Sequence, residues 1–142
     1  MMKILIIFIS FSVFAGESNF EALFTPAKLS KLDWTSDREI SAYIKELGKP
    51  DLKKENKYYY EVNKLKYPIS FHTNGKKVKK VYFRTLDNSP SFEQAANYLK
   101  DNNFKLEQTE DSNYKLFVSD KKKMRLKFSA ITKKLYSVEK WF

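Results

Sequence analysis

Asn74-Gly75 is the tightest constraint on what this chain can form. The dipeptide is the one a type I′ hairpin turn prefers, because both central residues need positive φ. Tyr67 to Thr73 alternates before it, with Ile69 and Phe71 on one side, and Lys77 to Arg84 returns as a strand. Strands joined by so short a turn pair antiparallel, so this segment commits the chain to an antiparallel sheet. The returning strand breaks strict alternation once among Val78, Val81 and Phe83, which predicts a bulge near Lys79-Lys80. Tyr58 to Val62 has strand composition and supplies a neighbour.

Helix signals stand ahead of the strands. Ser36-Asp37-Arg38-Glu39 has capping-box spacing, in which Ser36 bonds the N–H of Glu39 and Glu39 reaches back. Ile40, Tyr43, Ile44 and Leu47 then share one helical face, Gly48 takes the left-handed position after the helix, and Pro50 forbids continuation. The charged residues between Pro50 and Tyr58 read as a loop. A second helix is expected with Ser89 as N-cap and Pro90 at its first position. It buries Phe92, Ala95, Ala96 and Leu99 and ends at Asn102-Asn103. Phe104 to Thr109 reads as a short strand, Glu110 to Asn113 as a turn, and Tyr114 to Ser119 as another strand. Met124, Leu126 and Phe128 alternate with Arg125 and Lys127, and Leu135 to Trp141 closes the chain.

The two halves look alike. Tyr43-Ile44-Lys45-Glu46 matches Tyr98-Leu99-Lys100-Asp101, and Tyr59 matches Tyr114 at the same spacing. After a two-residue insertion Ile69 and Phe71 match Leu126 and Phe128, Lys76-Lys77-Val78 matches Lys133-Lys134-Leu135, and Val81 matches Val138. The expected fold class is therefore α+β: two helix-plus-antiparallel-hairpin repeats, about residues 36–84 and 89–141, with helices packed on one face of an antiparallel sheet. Residues 16–32 show no sustained period and read as a lead-in to a single domain over 33–142.

Helix end Leu47-Gly48-Lys49-Pro50, a Tyr-rich strand and the hairpin from Ile69 to Val78 together resemble the SmpA/OmlA, or BamE-like, small envelope proteins. The resemblance covers residues 36–84, and more loosely 90–141. It implies helices on a three-stranded antiparallel sheet, and a tandem pair of such units is similar to the β-lactamase inhibitor protein architecture. A role in outer-membrane protein assembly or in inhibiting an enzyme is what the resemblance implies. Departures are plain. The chain has no cysteine to carry a lipid, each half shows one helix, and the second half lacks counterparts of Gly48, Pro50, Asn74 and Gly75.

Met1-Met2-Lys3 followed by the apolar run from Ile4 to Phe14 and by Ala15 has the layout of a secretory signal peptide. The run is well short of the roughly 20 residues that span a bilayer. The expectation is cleavage near Gly16, no transmembrane span after cleavage, and a periplasmic or secreted protein. An exported domain without cysteine holds together by packing alone, and its length and the 20 aromatic residues that follow residue 15 (9 Phe, 9 Tyr, 2 Trp) allow that.

Net charge is +10, which favours anionic partners. Lys76, Lys77, Lys79 and Lys80 cluster at the first hairpin. Lys121, Lys122, Lys123, Arg125 and Lys127 gather at the second, with Lys133 and Lys134 close by in sequence. On one continuous sheet these merge into a basic face interleaved with Tyr60, Tyr82 and Tyr136, which is the candidate binding surface. Export argues against nucleic acid as the partner. An envelope protein, or an anionic surface of lipid, lipopolysaccharide or wall polymer, is expected instead.

Enzyme chemistry is thinly represented. His72 is the single histidine, so a triad or a histidine-based metal site has only one residue to build on. Three glycines, at 16, 48 and 75, cannot make a phosphate loop, and Glu110-Asp111 reads as a solvated turn. The sequence reading is a non-catalytic binding or scaffold module with no cofactor, no metal and no catalytic residue.

Overall fold

In the computed structural model, residues 16–85 and 89–142 are described, residues 16–19 by their backbone alone. The signal-peptide expectation for residues 1–15 lies outside them. Three helices and eight strands are present among the described residues: α1 (Gly16–Phe24), α2 (Ile40–Leu47), β1 (Leu52–Lys54), β2 (Lys57–Val62), β3 (Leu65–Asn74), β4 (Lys77–Arg84), α3 (Phe92–Asp101), β5 (Lys105–Glu107), β6 (Tyr114–Ser119), β7 (Met124–Ser129) and β8 (Leu135–Trp141).

The expected pair of helix-plus-hairpin repeats is not what forms. All eight strands belong to one antiparallel sheet in the order β1-β2-β3-β4-β8-β7-β6-β5, and helix is confined to segments of 9, 8 and 10 residues. Two causes escape pattern reading. The edge strand β1 is three residues long, exposed throughout and set in the segment read as a loop, so no alternation announces it, whereas β5 lies inside the short strand expected from Phe104 to Thr109. And β4 and β8, which would each leave a bare edge on a separate unit, pair with one another from Lys80↔Trp141 to Arg84↔Ser137. Joining satisfies two rows of backbone groups at once.

Capping also differs in detail. Residue Glu39 is the N-cap of α2 and makes no side-chain cap bond. The hydroxyl of Ser36 instead bonds the Asp33 carboxylate, as do the N–H and hydroxyl of Thr35. A local turn has captured the serine that the capping box needed. In α3 the cap is Ser91, two residues beyond Ser89, and the box is complete: Gln94 N–H donates to Ser91 Oγ at 3.1 Å while Ser91 N–H donates to Gln94 Oε1 at 2.9 Å.

Each of these helix starts is tied to a hairpin turn. Ile40 N–H donates to Lys76 O (2.9 Å) and Phe92 N–H to Lys133 O (2.7 Å); Val78 N–H returns to Arg38 O and Leu135 N–H to Pro90 O. These ties match Ile40 with Phe92, and so Tyr43 with Ala95 rather than with Tyr98. In the strands Phe71 stands between Tyr58 and Val81 as Leu126 stands between Phe117 and Val138, so Leu126 corresponds to Phe71 and Phe117 to Tyr58, and the matches of Ile69 with Leu126 and of Tyr59 with Tyr114 are displaced.

One face of the sheet carries Tyr60, Ile69, Phe71, Val81, Phe83, Leu126, Phe128 and Val138, all buried, and the helices cover it. Tyr43 of α2 packs on Phe71 at 4.4 Å between ring centroids, and Phe92 of α3 on Phe128 at 5.7 Å. The segment read as a lead-in is part of this core: Phe24 and Leu29 are buried, as is Trp34 just beyond it. Phe24 meets Phe83 of the first half and Tyr98 of the second, so α1 caps the seam between them. Its Glu21 carboxylate accepts the Tyr98 hydroxyl at 2.7 Å and pairs with Lys122 Nζ at 2.8 Å.

The turns hold a surprise of their own. Between the paired Asn74 and Lys77 lie Gly75 and Lys76, and of these only Gly75 has positive φ, at 63°. That is the φ pattern of a type II′ turn, with glycine at the first central position, rather than type I′. The type I′ pattern occurs one hairpin earlier: Asn63 (φ 51°) and Lys64 (φ 66°) connect Val62 to Leu65. The bulge read near Lys79-Lys80 is present, where the register passes from His72↔Lys80 to Thr73↔Val78 and leaves Lys79 over.

Three outcomes follow. Lys64→Gly turns Asn63-Lys64 into the preferred type I′ pair and raises Tm by a few degrees, whereas Gly75→Ala costs about 1 kcal/mol in backbone strain, since a Cβ there meets no atom within 4 Å. The Tyr43 hydroxyl is buried with no hydrogen-bond partner and that of Tyr60 donates to Gly48 O at 2.8 Å. Tyr43→Phe is therefore neutral or stabilising in urea unfolding, and Tyr60→Phe loses about 1 kcal/mol. Burial pushes both phenols up to about 12. An unfolded phenol titrates near 10. Above that pH the unfolded chain releases protons that the folded one retains, so the stability these groups provide is complete below pH ~10 and is lost as pH rises towards ~12. A phenolate absorbance titration will show two late tyrosines ionising together with unfolding.

Candidate binding surface

Strand register decides which side chains share the face that the helices leave open. Tyr59, Ser70, Tyr82, Glu139, Arg125 and Val118 form one row across β2, β3, β4, β8, β7 and β6. Arg84, Ser137, Lys127, Leu116 and Glu107 form the next, and Lys57, His72, Lys80 and Trp141 a third. Ser70 and Ser137 lie buried beneath their larger neighbours, and most of the rest are half-buried.

Charges on this face hold one another. Arg125 pairs with Glu139 at 3.4 Å and with Glu107 at 3.5 Å, and Lys80 joins Glu139 at 3.5 Å. Partly exposed pairs of this kind contribute at most about 1 kcal/mol each, so their weight lies in fixing side-chain geometry. Aromatic rings hold the other cations. The Arg84 guanidinium stacks over Tyr136 at 4.4 Å, Tyr136 packs on Tyr114 at 5.0 Å, and Lys127 Nζ sits 4.9 Å above the Tyr114 ring. Nε of Arg84 and Nε of Arg125 are buried without an acceptor among the described residues. A depression of about 130 Å³ opens in the middle, lined by Tyr82, Leu116, Arg125, Lys127, Ser137 and Glu139. Burial, with Lys80 and Lys57 adding to it, holds His72 below its usual value, so the imidazole is neutral at pH 7.

The fourteen residues expected as the binding surface separate into three groups. Lys80, Tyr82, Arg125, Lys127 and Tyr136 do come together on the open face. Tyr60 does not: it is fully buried on the opposite face, because β2 turns Tyr58 and Tyr60 inward and Tyr59 outward. The turn lysines divide between the two ends of the sheet. Lys76, Lys77, Lys79, Lys121, Lys122 and Lys123 share one end, and Lys133 and Lys134 stand at the other. Lys77 is paired with Asp37 at 3.7 Å. The merged basic face is thus smaller than expected and richer in paired charge.

Tyr59, Tyr67, Arg84, Tyr114, Leu116, Glu139 and Trp141 belong to the open face and were not singled out from sequence. Alternation within β8 could have placed Glu139 and Trp141. Among the described residues no group of three His, Asp or Glu is placed to hold a metal ion, and no helix is long and apolar enough to cross a membrane. Comparison with protein-family models, with curated proteins and with solved structures gives no match.

Proposed function

We propose that the protein is a non-catalytic binding module of the bacterial envelope that holds a protein partner against the open face of its sheet. The observation that carries this is the composition of that face. Tyr59, Tyr82, Tyr114, Tyr136 and Trp141 stand among Arg84, Arg125 and Lys127. Tyrosine, tryptophan and arginine are the residues that dominate interface energetics, since each buries a large rigid area at low entropic cost. Ion pairs and stacked cations already restrict these side chains, which lowers the ordering cost of association. A depression lined by the cationic side chains of Arg125 and Lys127 fits a protruding side chain that ends in a carboxylate or carbonyl. The resemblance of residues 36–84 to the BamE-like envelope proteins points the same way, towards assembly or inhibition by protein contact.

The test is capture from solubilised envelope of the host on immobilised residues 16–142, followed by washing at high salt. A stoichiometric protein band survives the wash, because its affinity rests on desolvated aromatic contacts. Tyr82→Ala and Tyr136→Ala each weaken it about thirtyfold, corresponding to ~2 kcal/mol at a hot spot. Lys100→Gln, on the exposed side of α3, leaves it unchanged. If no protein survives high salt, or if the tyrosine variants capture it as well as the parent does, the reading fails.

A further inference from the structure

Sheet register gathers lysines where sequence order does not. The contact row Lys57↔His72, His72↔Lys80 and Lys80↔Trp141 crosses β2, β3, β4 and β8, and Lys140↔Met124 carries it on to β7. Turns β1–β2, β3–β4 and β6–β7 therefore project from the same end of the sheet as the chain terminus. Phe142 N–H donates to Lys79 O, and Trp141 N–H to Lys123 O. Lys54, Lys57, Lys76, Lys79, Lys121 and Lys123 are exposed there, and none of them forms an ion pair among the described residues. Of the acidic groups at this end, Asp37 and Glu21 are engaged by Lys77 and Lys122, and Glu39, Glu55, Asp101 and Asp120 stand among the lysines, so cations remain in excess.

We infer that this end docks on the plane of an anionic lipid bilayer. The cations are all lysine ammonium groups on separate turn tips, with the half-buried Phe142 held between the β3–β4 and β6–β7 tips. Ammonium groups spread over separate tips are point charges rather than a fork shaped to one ligand, and they meet a plane of mobile phosphate groups together. Followed back from Phe24 to Glu21, α1 runs towards this same end, since Phe24 lies on Phe83 and Glu21 on Lys122 of the β6–β7 turn. The chain thus enters its fold on the side where the lysines are. Docked this way, the strands stand up from the bilayer and the open face is presented sideways, free for a partner. The inference is independent of what that face binds.

Vesicle co-sedimentation of residues 16–142 tests it, with phosphatidylcholine alone and with phosphatidylglycerol added, at low and high salt. The expected result is sedimentation with the anionic vesicles only, and loss at high salt. Two variants of equal net charge locate the contact. Lys54, Lys76, Lys121 and Lys123 changed to Gln lower partitioning roughly fivefold per lysine, to below detection. Lys64, Lys66, Lys133 and Lys134 changed to Gln, at the opposite end, leave it within a fewfold of the parent. Equal loss in both variants would mean that net charge alone attracts the protein and would overturn the docking end. So would retention by the first variant, or full competition by a soluble polyanion such as polyglutamate at equal charge.

Discussion

Pairing of β4 with β8 is the contact on which the rest of the structure depends. Five residue pairs, Lys80↔Trp141 to Arg84↔Ser137, turn two four-stranded sheets into one of eight. Without the seam each set would expose a bare edge and bury little on its single face. With it, Phe83 and Val138 become neighbours at the centre of a common core, and Phe24 of α1 closes over the junction. That explains why a short helix of modest helical character is held so firmly. Its Phe20 and Phe24 pack on Tyr98 of α3, and Phe24 also lies on Phe83 of β4.

The same seam makes the open face. Rows of outward side chains run without interruption through six strands, so Tyr59 at one side and Val118 at the other lie on a single surface. Two bulges, one leaving Lys79 over in β4 and one leaving Tyr136 over in β8, stand at corresponding positions of the two halves. In β8 the extra residue lays an aromatic ring under Arg84; in β4 it adds a cation. The sheet thus has an aromatic corner and a basic one.

Much of the local structure was legible in the sequence, and the reasons for the remainder are physical. Strands β2, β3, β4, β6, β7 and β8 announce themselves because each buries one side of its pleat. The edge strand β1 buries nothing and leaves no pattern, while β5, equally exposed, falls within the expected strand from Phe104 to Thr109. Helix positions were clear from Ile40, Tyr43 and Leu99, but cap assignment was not. Ser36 had a competing acceptor in Asp33, and Ser91 rather than Ser89 had Gln94 three residues on. Residues 20–32 lack periodicity because Phe24 and Leu29 reach the core from different local conformations, a helix and the turn after it. The architecture was misjudged because strand order is a property of long-range pairing, which periodicity does not encode. The same blindness misplaced Tyr60, whose inward orientation depends on which of three consecutive tyrosines faces Ile69.

The last strand of the chain lies in the middle of the sheet, and this sets an order of events. A polypeptide emerging N-terminus first, from a ribosome or through an export channel, can complete β1 to β4 early, yet β4 keeps an open edge until β8 arrives. Lys80 must wait for Trp141, far along the chain. The seam therefore closes only after β5, β6 and β7 have been laid down. Until then the common core stays unfinished, so the pairing of greatest sequence separation in the sheet is also the one that completes it.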